Sequence, residues 1–380
     1  MIGVIGNQVG MALSCLPVTP AFCVDKHQVM RNCEKMINLE KKLNVVIRAQ
    51  TKTHKTVEGA VLQTGGSRRC IVTSTVAEAE MYANNGFDDI LLGYPLTSNK
   101  IPRCKTLAEK LNKFHVLVDN PLAVDWLQSH APTGRPWSVF LKVDCGGARV
   151  GVWWEDEEGL KLAELIQSSS SCIFAGVYVH CGNTYHHHDS GQKVEDIAKE
   201  TTHRALTFVR GLEARGVACP VVGIGSTPTC SNPIDELGKL TELHPGNYIF
   251  YDAQQCWLGS CRLEEIACTV ATRVIGHYPR RNELLIDAGF TALTRQGLNK
   301  LPTGCAVFKN HPELKLADMT QEIGKVTTVD ASLVEFSNYP IGSILFLYPW
   351  HSCATAGQYA DYLVHDGEGV REIWIPCRGW

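Results

Sequence analysis

Short apolar runs that alternate with helix-like segments dominate the chain up to about residue 251, and this alternation constrains the fold more than any other feature. Eight such runs occur, at residues 45–47, 71–73, 90–92, 114–118, 139–143, 174–179, 221–224 and 248–250. Strands that alternate with helices form parallel sheets, and eight strand–helix units close a (β/α)8 barrel of the TIM type. An open, doubly wound sheet is the alternative. No G-x-G-x-x-G sequence opens a helix, which counts against the dinucleotide-binding form of that sheet.

Several predicted helix starts carry side chains that can bind the free backbone N–H groups of a first turn. Asp25 is placed to cap one helix, and Asn120 is followed by Pro121 at the first helical position. Thr75 and Thr106 each precede a glutamate by three residues, which is the spacing of a capping box. These signals place helices between the predicted strands, as a barrel requires.

The pattern changes after about residue 259. Strand-like segments follow at residues 266–275, 283–286, 307–309, 341–347, 362–364 and 370–375, without helical periodicity. Asp366 and Gly367, between the last two segments, form a dipeptide typical of a tight β-hairpin turn. We therefore predict an α/β protein with a barrel of residues 20–258 and a β domain of residues 1–19 and 259–380.

Composition argues against several classes of partner. The 380 residues include 36 Lys and Arg against 39 Asp and Glu, a net charge of −3, so charge does not favour nucleic acid or an anionic membrane. No apolar run approaches the roughly 18 residues that cross a bilayer, and the first basic residue is Lys26. The 16 Cys lack the regular spacing of a disulfide scaffold. We expect a cytoplasmic protein whose partner is a small molecule.

A polar and basic segment, residues 48–56, directly follows the first predicted strand. The carboxyl ends of barrel strands form the active-site face, so this segment is well placed for chemistry. A lysine partly withdrawn from water there would offer a neutral amine for a Schiff base. Lys52 and Lys55 both qualify, and physical reasoning alone does not separate them. A solvated basic loop without function is the alternative.

His351 and Cys353 follow a predicted apolar strand. On a strand, residues two apart point to the same face, and an imidazole with a thiolate is a natural pair of Zn²⁺ ligands. Two protein ligands would leave coordination positions open to water or substrate. A buried cysteine beside a hydrogen-bonded histidine is the alternative explanation of the same pair.

Small and polar segments follow the seventh predicted strand and open the eighth. They are Gly225, Ser226 and Thr227, and Gly246, Asn247 and Tyr248. Loops at these barrel positions commonly bind phosphate through backbone N–H groups, although turns without a ligand fit the same residues. Tyr178, His180 and Tyr185 form an aromatic and polar cluster after the sixth strand, for which packing is the alternative role.

Taken together, these segments resemble the eukaryotic D-serine dehydratase family. The matching segments are Lys52-Thr53-His54-Lys55, Ser74-Thr75 with Ala77-Glu78-Ala79, His180-Cys181-Gly182-Asn183-Thr184-Tyr185, Gly225-Ser226-Thr227-Pro228, His244-Pro245-Gly246-Asn247-Tyr248, His351-Ser352-Cys353 and Arg378-Gly379-Trp380. They stand in the family's order across nearly the whole chain. The resemblance implies an alanine-racemase-like fold, with a barrel that binds pyridoxal 5′-phosphate (PLP), a β domain and a homodimer. D-threonine aldolase and D-threo-3-hydroxyaspartate dehydratase share this fold.

The resemblance also implies roles for individual residues. Lys52, rather than Lys55, matches the lysine that binds PLP, and His351 and Cys353 match the Zn²⁺ ligands. The positions that match residues around the cofactor are Arg149, Tyr178, Tyr185, Gly225, Ser226, Thr227, Gly246, Asn247 and Tyr248.

Two departures from the family pattern lie close to these positions. Ala49 and Gln50 replace the proline and histidine that often precede the cofactor lysine, and Gly147-Ala148 replaces an Asn-Gly pair. Loss of an imidazole beside Lys52 would alter proton handling or substrate preference. It removes neither the lysine nor a metal ligand, so the enzymatic interpretation stands.

The implied activity is that of a D-serine ammonia-lyase, a PLP-dependent carbon–oxygen lyase. Such an enzyme converts D-serine to pyruvate and ammonia by removing the Cα proton and eliminating the β-hydroxide with the help of zinc. Three alternatives stay open: an aldolase reaction like that of D-threonine aldolase, dehydration of 3-hydroxyaspartate, and PLP binding without turnover in a homeostasis protein. Proteins of the last class generally lack a β domain, so residues 259–380 argue against it.

Overall fold

The computed structural model describes residues 8–298 and 300–380. They form two compact units. The first comprises the described residues up to Asn32 together with Ile249–Pro376, and the second comprises Cys33–Tyr248 and Cys377–Trp380. Residues 1–7, which the sequence analysis assigns to the β domain, lie outside the described residues. The domain boundaries drawn from the sequence stay a prediction.

The elements are numbered in chain order. The strands are β1 (Ala21–Asp25), β2 (Val46–Ile47), β3 (Ala49–Gln50), β4 (Ile71–Thr73), β5 (Asp89–Pro95), β6 (Lys113–Val118), β7 (Trp137–Asp144), β8 (Val152–Trp153), β9 (Cys172–His180), β10 (Val222–Gly225), β11 (Glu242–Leu243), β12 (Cys268–Tyr278), β13 (Glu283–Ile286), β14 (Ala306–Phe308), β15 (Leu314–Met319), β16 (Gly324–Thr328), β17 (Ile344–Pro349), β18 (Tyr362–His365) and β19 (Val370–Trp374). The α-helices are α1 (Lys26–Leu43), α2 (Val57–Gln63), α3 (Val76–Asn84), α4 (Ile101–Lys110), α5 (Pro121–Ser129), α6 (Glu157–Ser168), α7 (His187–Ser190), α8 (Val194–Ala214), α9 (Thr227–Ser231), α10 (Ala253–Trp257) and α11 (Ser352–Ala356). None of the helices in the described ranges is both long and apolar enough to span a bilayer.

The second unit contains a parallel barrel. Its strands are hydrogen-bonded in the order β2-β11-β10-β9-β7-β6-β5-β4-β3. Only Arg48 separates β2 from β3, so the two ends of this order belong to one extended segment and the sheet returns to its start. The prediction of a TIM-type barrel is therefore confirmed.

The eighth strand of the barrel is not the predicted one. Residues 248–250 lie at the end of a 3₁₀ turn, and the eighth strand is β11, whose Glu242 and Leu243 pair with Val46 and Ile47. The prediction followed the apolar side chains at 248–250, which are buried for packing rather than for strand pairing. The true strand was missed because it is two residues long and half of it is a glutamate.

That glutamate belongs to a buried ionic cluster. The guanidinium of Arg48 donates to both carboxylate oxygens of Glu242, at 2.9 and 2.8 Å, and to Oδ1 of Asp89, at 2.5 Å. Burial raises the pKa of Glu242, but hydrogen bonds from His244 and Arg48 outweigh burial and lower this pKa to about 2. Buried charges are tolerated when they are paired in this way, so the cluster joins the first, third and eighth strands of the barrel.

We expect Glu242→Gln to lower the free energy of unfolding by about 3 kcal/mol, because it deprives the buried Arg48 of one of its two carboxylates. Urea unfolding at pH 7 measures this loss. The pKa of Glu242 is depressed in the folded state, so its charge stabilises the fold above pH 4.5, and this contribution is lost as the pH falls toward about 2. The difference between the two proteins should shrink over the same range.

Glu157→Gln is the matched control, because the exposed carboxylate of Glu157 pairs with Arg215 at 2.9 Å and with Lys161 at 3.6 Å, and its loss should affect unfolding far less. Equal losses of unfolding free energy in the two variants would show that the buried ion pair of Glu242 stabilises the fold no more than an exposed one.

The predicted helix starts are confirmed at three of four sites. Asp25 accepts the N–H of Gln28 at 2.9 Å, and Thr75 and Asn120 cap α3 and α5. The prediction of a capping box at Thr106 is wrong, because α4 already begins at Ile101. The Thr106 hydroxyl instead donates to the carbonyl of Pro102 within the helix. The spacing of a capping box also occurs by chance inside a helix.

The first unit contains a mostly antiparallel sheet. Its order is β15-β16-β13-β12-β1-β18-β19, and β17 pairs with both β12 and β14. The predicted hairpin joins β18 to β19, with Gly367 at a φ of 101°. Strands β15 and β16 were not predicted, because charged residues such as Lys315 and Lys325 interrupt their apolar positions. A C-terminal β sheet domain is thus confirmed.

Candidate active site

Lys52 lies directly after β3, in a turn that is held from several sides. The N–H of Lys55 donates to the carbonyl of Thr51 at 2.9 Å, which closes the turn around Lys52. The N–H and hydroxyl of Thr51 donate to the carbonyl of Val72 at 2.9 and 3.1 Å. The N–H of Lys52 donates to Oε1 of Gln50 at 3.1 Å, so this departure from the family pattern binds the main chain of the lysine. The side chain of Lys52 is exposed above a fixed backbone.

The amine of Lys55 is already paired. Its Nζ lies 3.0 Å from Oε1 of Glu78, whose side chain is fully buried. Glu78 also accepts the N–H of Ser74 at 3.3 Å and the hydroxyl of Thr75 at 3.1 Å. The Lys55 amine is thus engaged by a buried carboxylate that is itself held in place by hydrogen bonds. The geometry therefore favours Lys52 as the amine that meets a carbonyl compound.

His180 lies at the end of β9, where the carboxyl ends of the barrel strands form the barrel mouth, and its pKa reflects the positive charges nearby. Burial and, to a smaller extent, the positive charges of Lys52, Lys142 and Arg149 together lower the pKa of His180 to about 3. The ring Nδ1 lies 3.1 Å from the carbonyl of Gly225, so Nδ1 carries the proton of a neutral imidazole. Three cations around one uncharged ring create a region that attracts anions.

Lys142 was not singled out in the sequence analysis. It lies on β7 with its side chain buried, and its Nζ donates to the carbonyl of Val143 at 3.2 Å. Its Nζ also lies 5.5 Å from the centre of the Tyr178 ring. Burial lowers the pKa of Lys142 to about 8. The signal that could have revealed it is a lysine inside an otherwise apolar strand, since an unpaired buried charge is rarely structural.

Tyr178 stacks on His244 inside the barrel, with ring centres 4.2 Å apart and planes within 9° of parallel. Burial raises the pKa of Tyr178 and lowers that of His244, so both rings are neutral near pH 7. The Nε2 of His244 lies 3.4 Å from Oε2 of Glu242, which ties the stack to the buried ionic cluster. The sequence alone assigns His244 no individual role, whereas in the structure its ring supports Tyr178. Tyr185 lies nearby, with its ring centre 6.5 Å from that of His180.

Ser226 and Thr227 bring the loops after β10 and β11 together. The Oγ of Ser226 accepts the N–H of Thr229 at 3.2 Å and lies 2.9 Å from Oγ1 of Thr184. The hydroxyl of Thr227 accepts the N–H of Gly246 at 3.4 Å. Small hydroxyl side chains therefore lie at the end of the barrel where the seventh and eighth strands finish, and anion binding by these loops stays a prediction.

Gly225 and Gly246 are explained by packing. A Cβ at Gly225 would lie 2.5 Å from the backbone N of His244, and one at Gly246 would lie 2.7 Å from the carbonyl of Gln50. Real Cβ atoms do not approach so closely, so barrel closure alone requires glycine at both positions. Asn247 and Tyr248, in the 3₁₀ turn Asn247–Ile249, are buried beside Gly246 in the chain.

Arg149 lies in a loop wound around the carboxylate of Asp144. That carboxylate accepts N–H groups at 2.7 to 3.3 Å from Gly146, Gly147, Ala148 and Arg149. Ala148 has a φ of 48°, in the left-handed region that favours glycine. A glycine at position 148, as in the Asn-Gly pair of the family, would adopt this conformation more readily than alanine. The loop holds the backbone of Arg149 while its side chain is exposed.

His351 and Cys353, in the other unit, lie at the start of a helix. Strand β17 ends at Pro349, and His351 occupies the position just before α11. The prediction that strand alternation aligns the two side chains is therefore wrong. The physical reason is the buried carboxylate of Asp252, which accepts the N–H and hydroxyl of Ser352 at 2.8 and 3.0 Å and turns the chain into the helix.

The imidazole of His351 is oriented by an amide. Its Nδ1 lies 2.9 Å from Oε1 of Gln296. Across residues 8–298 and 300–380, no group of three or more His, Cys, Asp or Glu side chains is arranged to hold a metal ion. A metal bound by His351 and Cys353 would therefore keep coordination positions for ligands that are not side chains of this kind.

Comparison with known families supports this reading of the barrel and of the β domain. Residues 24–254 match the family model "Alanine racemase, N-terminal domain", and residues 267–365 match "Putative serine dehydratase domain". D-serine dehydratase of Dictyostelium discoideum is 32% identical over 386 residues, which cover 95% of this chain and 97% of that protein.

Solved structures agree with the sequence comparison. D-threo-3-hydroxyaspartate dehydratase from Delftia sp. HT23 superposes with a TM-score of 0.88 at 27% identity, covering 97% of this chain and 100% of that one. A cysteine-to-alanine variant of D-threo-3-hydroxyaspartate dehydratase in the metal-free form gives a TM-score of 0.89 at 26% identity, with coverage of 97% and 100%. Because the likeness extends through both units and over nearly the full length, the chain belongs to the D-serine dehydratase family of alanine-racemase-like proteins.

Proposed function

We propose that this protein is a D-serine dehydratase that converts D-serine to pyruvate and ammonia, with PLP and Zn²⁺ as cofactors. The observation that carries the proposal is the contrast between the two lysines. The amine of Lys55 is paired with the carboxylate of Glu78, whereas Lys52 is exposed after a barrel strand. The electrostatic coupling of Lys52 to His180, together with Lys142 and Arg149, puts that amine in an anion-attracting region.

The residues of the barrel mouth fit PLP. Its phosphate is an anion, and the hydroxyls of Ser226 and Thr227, whose oxygens accept backbone N–H groups, can donate their hydrogens to it. Its ring is flat and aromatic, and Tyr178, held by its stacking on His244, is a suitable aromatic neighbour for it. Lys52 would bind its aldehyde. The other residues that would surround it are Arg149, Tyr185, Gly225, Gly246, Asn247 and Tyr248.

The residues of the other unit fit Zn²⁺. An imidazole nitrogen and a thiolate are preferred zinc ligands, and Gln296 holds His351 through the ring nitrogen that would not bind the metal. The existence of a metal-free form of a solved relative supports a metal in that relative, and we extend this role to His351 and Cys353.

When bound, PLP withdraws electrons from Cα of an attached amino acid, and Zn²⁺ stabilises negative charge on a β-oxygen. The Nζ of Lys52 acts as the general base that takes the Cα proton of D-serine. Arg149 and Lys142 supply positive charge for the anionic groups at the barrel mouth. His180 presents only a proton acceptor at Nε2, because its Nδ1 proton is held by Gly225. After loss of hydroxide, the released 2-aminoacrylate hydrolyses to pyruvate and ammonia.

A product assay tests the reaction. We expect purified protein with PLP and Zn²⁺ to form pyruvate and ammonia in equal amounts from D-serine and none from L-serine. D-threonine and D-threo-3-hydroxyaspartate belong in the same assay, because a solved relative bears the second compound in its name. Glycine with an aldehyde would assign the chain to the aldolase reaction, and no product from any substrate would favour PLP binding without turnover.

We further propose a homodimer in the cytoplasm, as the family resemblance implies. Light scattering of the purified protein tests the dimer, since one chain has a mass of 41.9 kDa. Fluorescence microscopy of a tagged chain tests the location.

A further inference from the structure

We infer that Gln296 is a positioning residue for Zn²⁺: it holds the ring of His351 with Nε2 directed to the metal and so sets the affinity for zinc. This inference rests on the proposed zinc site, but it concerns a residue that is not a metal ligand. It follows from the way the His351-Ser352-Cys353 segment is restrained.

The main chain of this segment is already held without any metal. Asp252 has no exposed surface, and its Oδ2 accepts both the N–H and the hydroxyl of Ser352, the residue between the two ligands. The Oδ1 of Asp252 accepts the N–H of Gln255 at 2.8 Å and caps α10. With the backbone restrained, the main remaining freedom of His351 is rotation of its side chain.

Gln296 removes that freedom. Its Oε1 lies 2.9 Å from Nδ1 of His351, and an amide oxygen can only accept, so the proton lies on Nδ1 and the lone pair on Nε2. The loop that carries Gln296 is itself fixed. A Cβ on the next residue, Gly297, would lie 2.3 Å from the ring of Trp350, so the loop packs directly against the residue that precedes His351.

A histidine without such a partner has two neutral tautomers and a freely turning ring, and only one arrangement presents Nε2 to a metal. Partners of this kind typically contribute 10- to 100-fold to metal affinity. We therefore expect Gln296→Ala to weaken Zn²⁺ binding by about 10- to 100-fold, and Gln296→Glu to restore most of it, because a carboxylate accepts the same N–H.

The experiment measures the Zn²⁺ dissociation constant of the full, PLP-loaded chain by competition with a chromophoric chelator. Gln358→Ala is the matched control, since Gln358 donates to the carbonyls of Phe290 and Leu293. It should leave zinc affinity unchanged. An unchanged constant in Gln296→Ala, or equal losses in Gln296→Ala and Gln296→Glu, would overturn the inference.

A second readout does not involve zinc. Long-range ¹H–¹⁵N spectra of the metal-free protein should place the His351 proton on Nδ1, and Gln296→Ala should give a mixture of tautomers. A proton on Nε2 in the unsubstituted protein would refute the inference. The proposed zinc site fails separately, if His351→Ala binds zinc as tightly as the unsubstituted protein, and the inference would then fall with it.

Discussion

Lys52→Ala should lose the visible absorption band of lysine-bound PLP and lower pyruvate formation by about 10⁴-fold or more. The substitution removes the amine that binds the cofactor and also the general base, which alone contributes 10²- to 10⁴-fold. Both effects are read from one preparation, by absorption spectroscopy and by a coupled pyruvate assay. The backbone should survive, because the turn is closed by main-chain groups and by Gln50.

Lys55→Ala is the control for Lys52→Ala. It removes the amine that pairs with Glu78, so it should weaken the fold locally but keep the absorption band. Lys52→Arg should lose the band as completely as Lys52→Ala, because it restores the charge but not a nucleophilic amine. A band that persists in Lys52→Ala and disappears in Lys55→Ala would reverse the assignment of the two lysines.

Cys353→Ala should keep the absorption band but lower kcat for pyruvate formation on the order of 10³-fold. The thiolate is one of two proposed Zn²⁺ ligands, and Lewis-acid stabilisation of a leaving oxygen contributes several kcal/mol, with about 1.4 kcal/mol for each tenfold in rate. Metal analysis should show loss of zinc in the same variant. Removal of zinc from the unsubstituted protein by a chelator should have the same effect on kcat.

Cys256→Ala is the control for Cys353→Ala. A hydrogen bond from Cys261 lowers the pKa of Cys256, which lies in the same unit and has no proposed part in catalysis. It should retain zinc and activity. Full dehydratase activity in Cys353→Ala, or in zinc-free protein, would exclude the proposed role of the metal.

Much of the fold could be predicted because burial leaves a local trace in the sequence. The strands of a parallel barrel are covered on both faces, so they read as short apolar runs. Strand β11 broke this rule, since Glu242 is buried through its pairing with Arg48, a residue 194 positions away. The capping box predicted at Thr106 was wrong for a different reason. Its spacing is a local pattern, which does not show that α4 already begins at Ile101.

The candidate site was predictable in its residue types and less so in its arrangement. Position after a strand pointed to Lys52 and Lys55 together. The family resemblance favoured Lys52, and the pairing of Lys55 with Glu78 adds a physical reason for that choice. Lys142 belongs to no recognisable sequence motif. Its position beside the Tyr178 ring depends on the register between β7 and β9. His351 and Cys353 were recognised as a pair, but Asp252 decides that they open a helix.

The amino-acid order by itself determined the alternation of strands and helices, the change to a β domain and the identity of the candidate ligands, because these follow from neighbours along the chain. Only the tertiary structure shows that the amine of Lys55 is paired with Glu78 and that Lys142 is buried beside the site. It also decides that Nδ1 of His351 carries the proton. Ion pairs and hydrogen bonds act over about 3 Å, and the partners that set them here lie tens of residues apart in the chain.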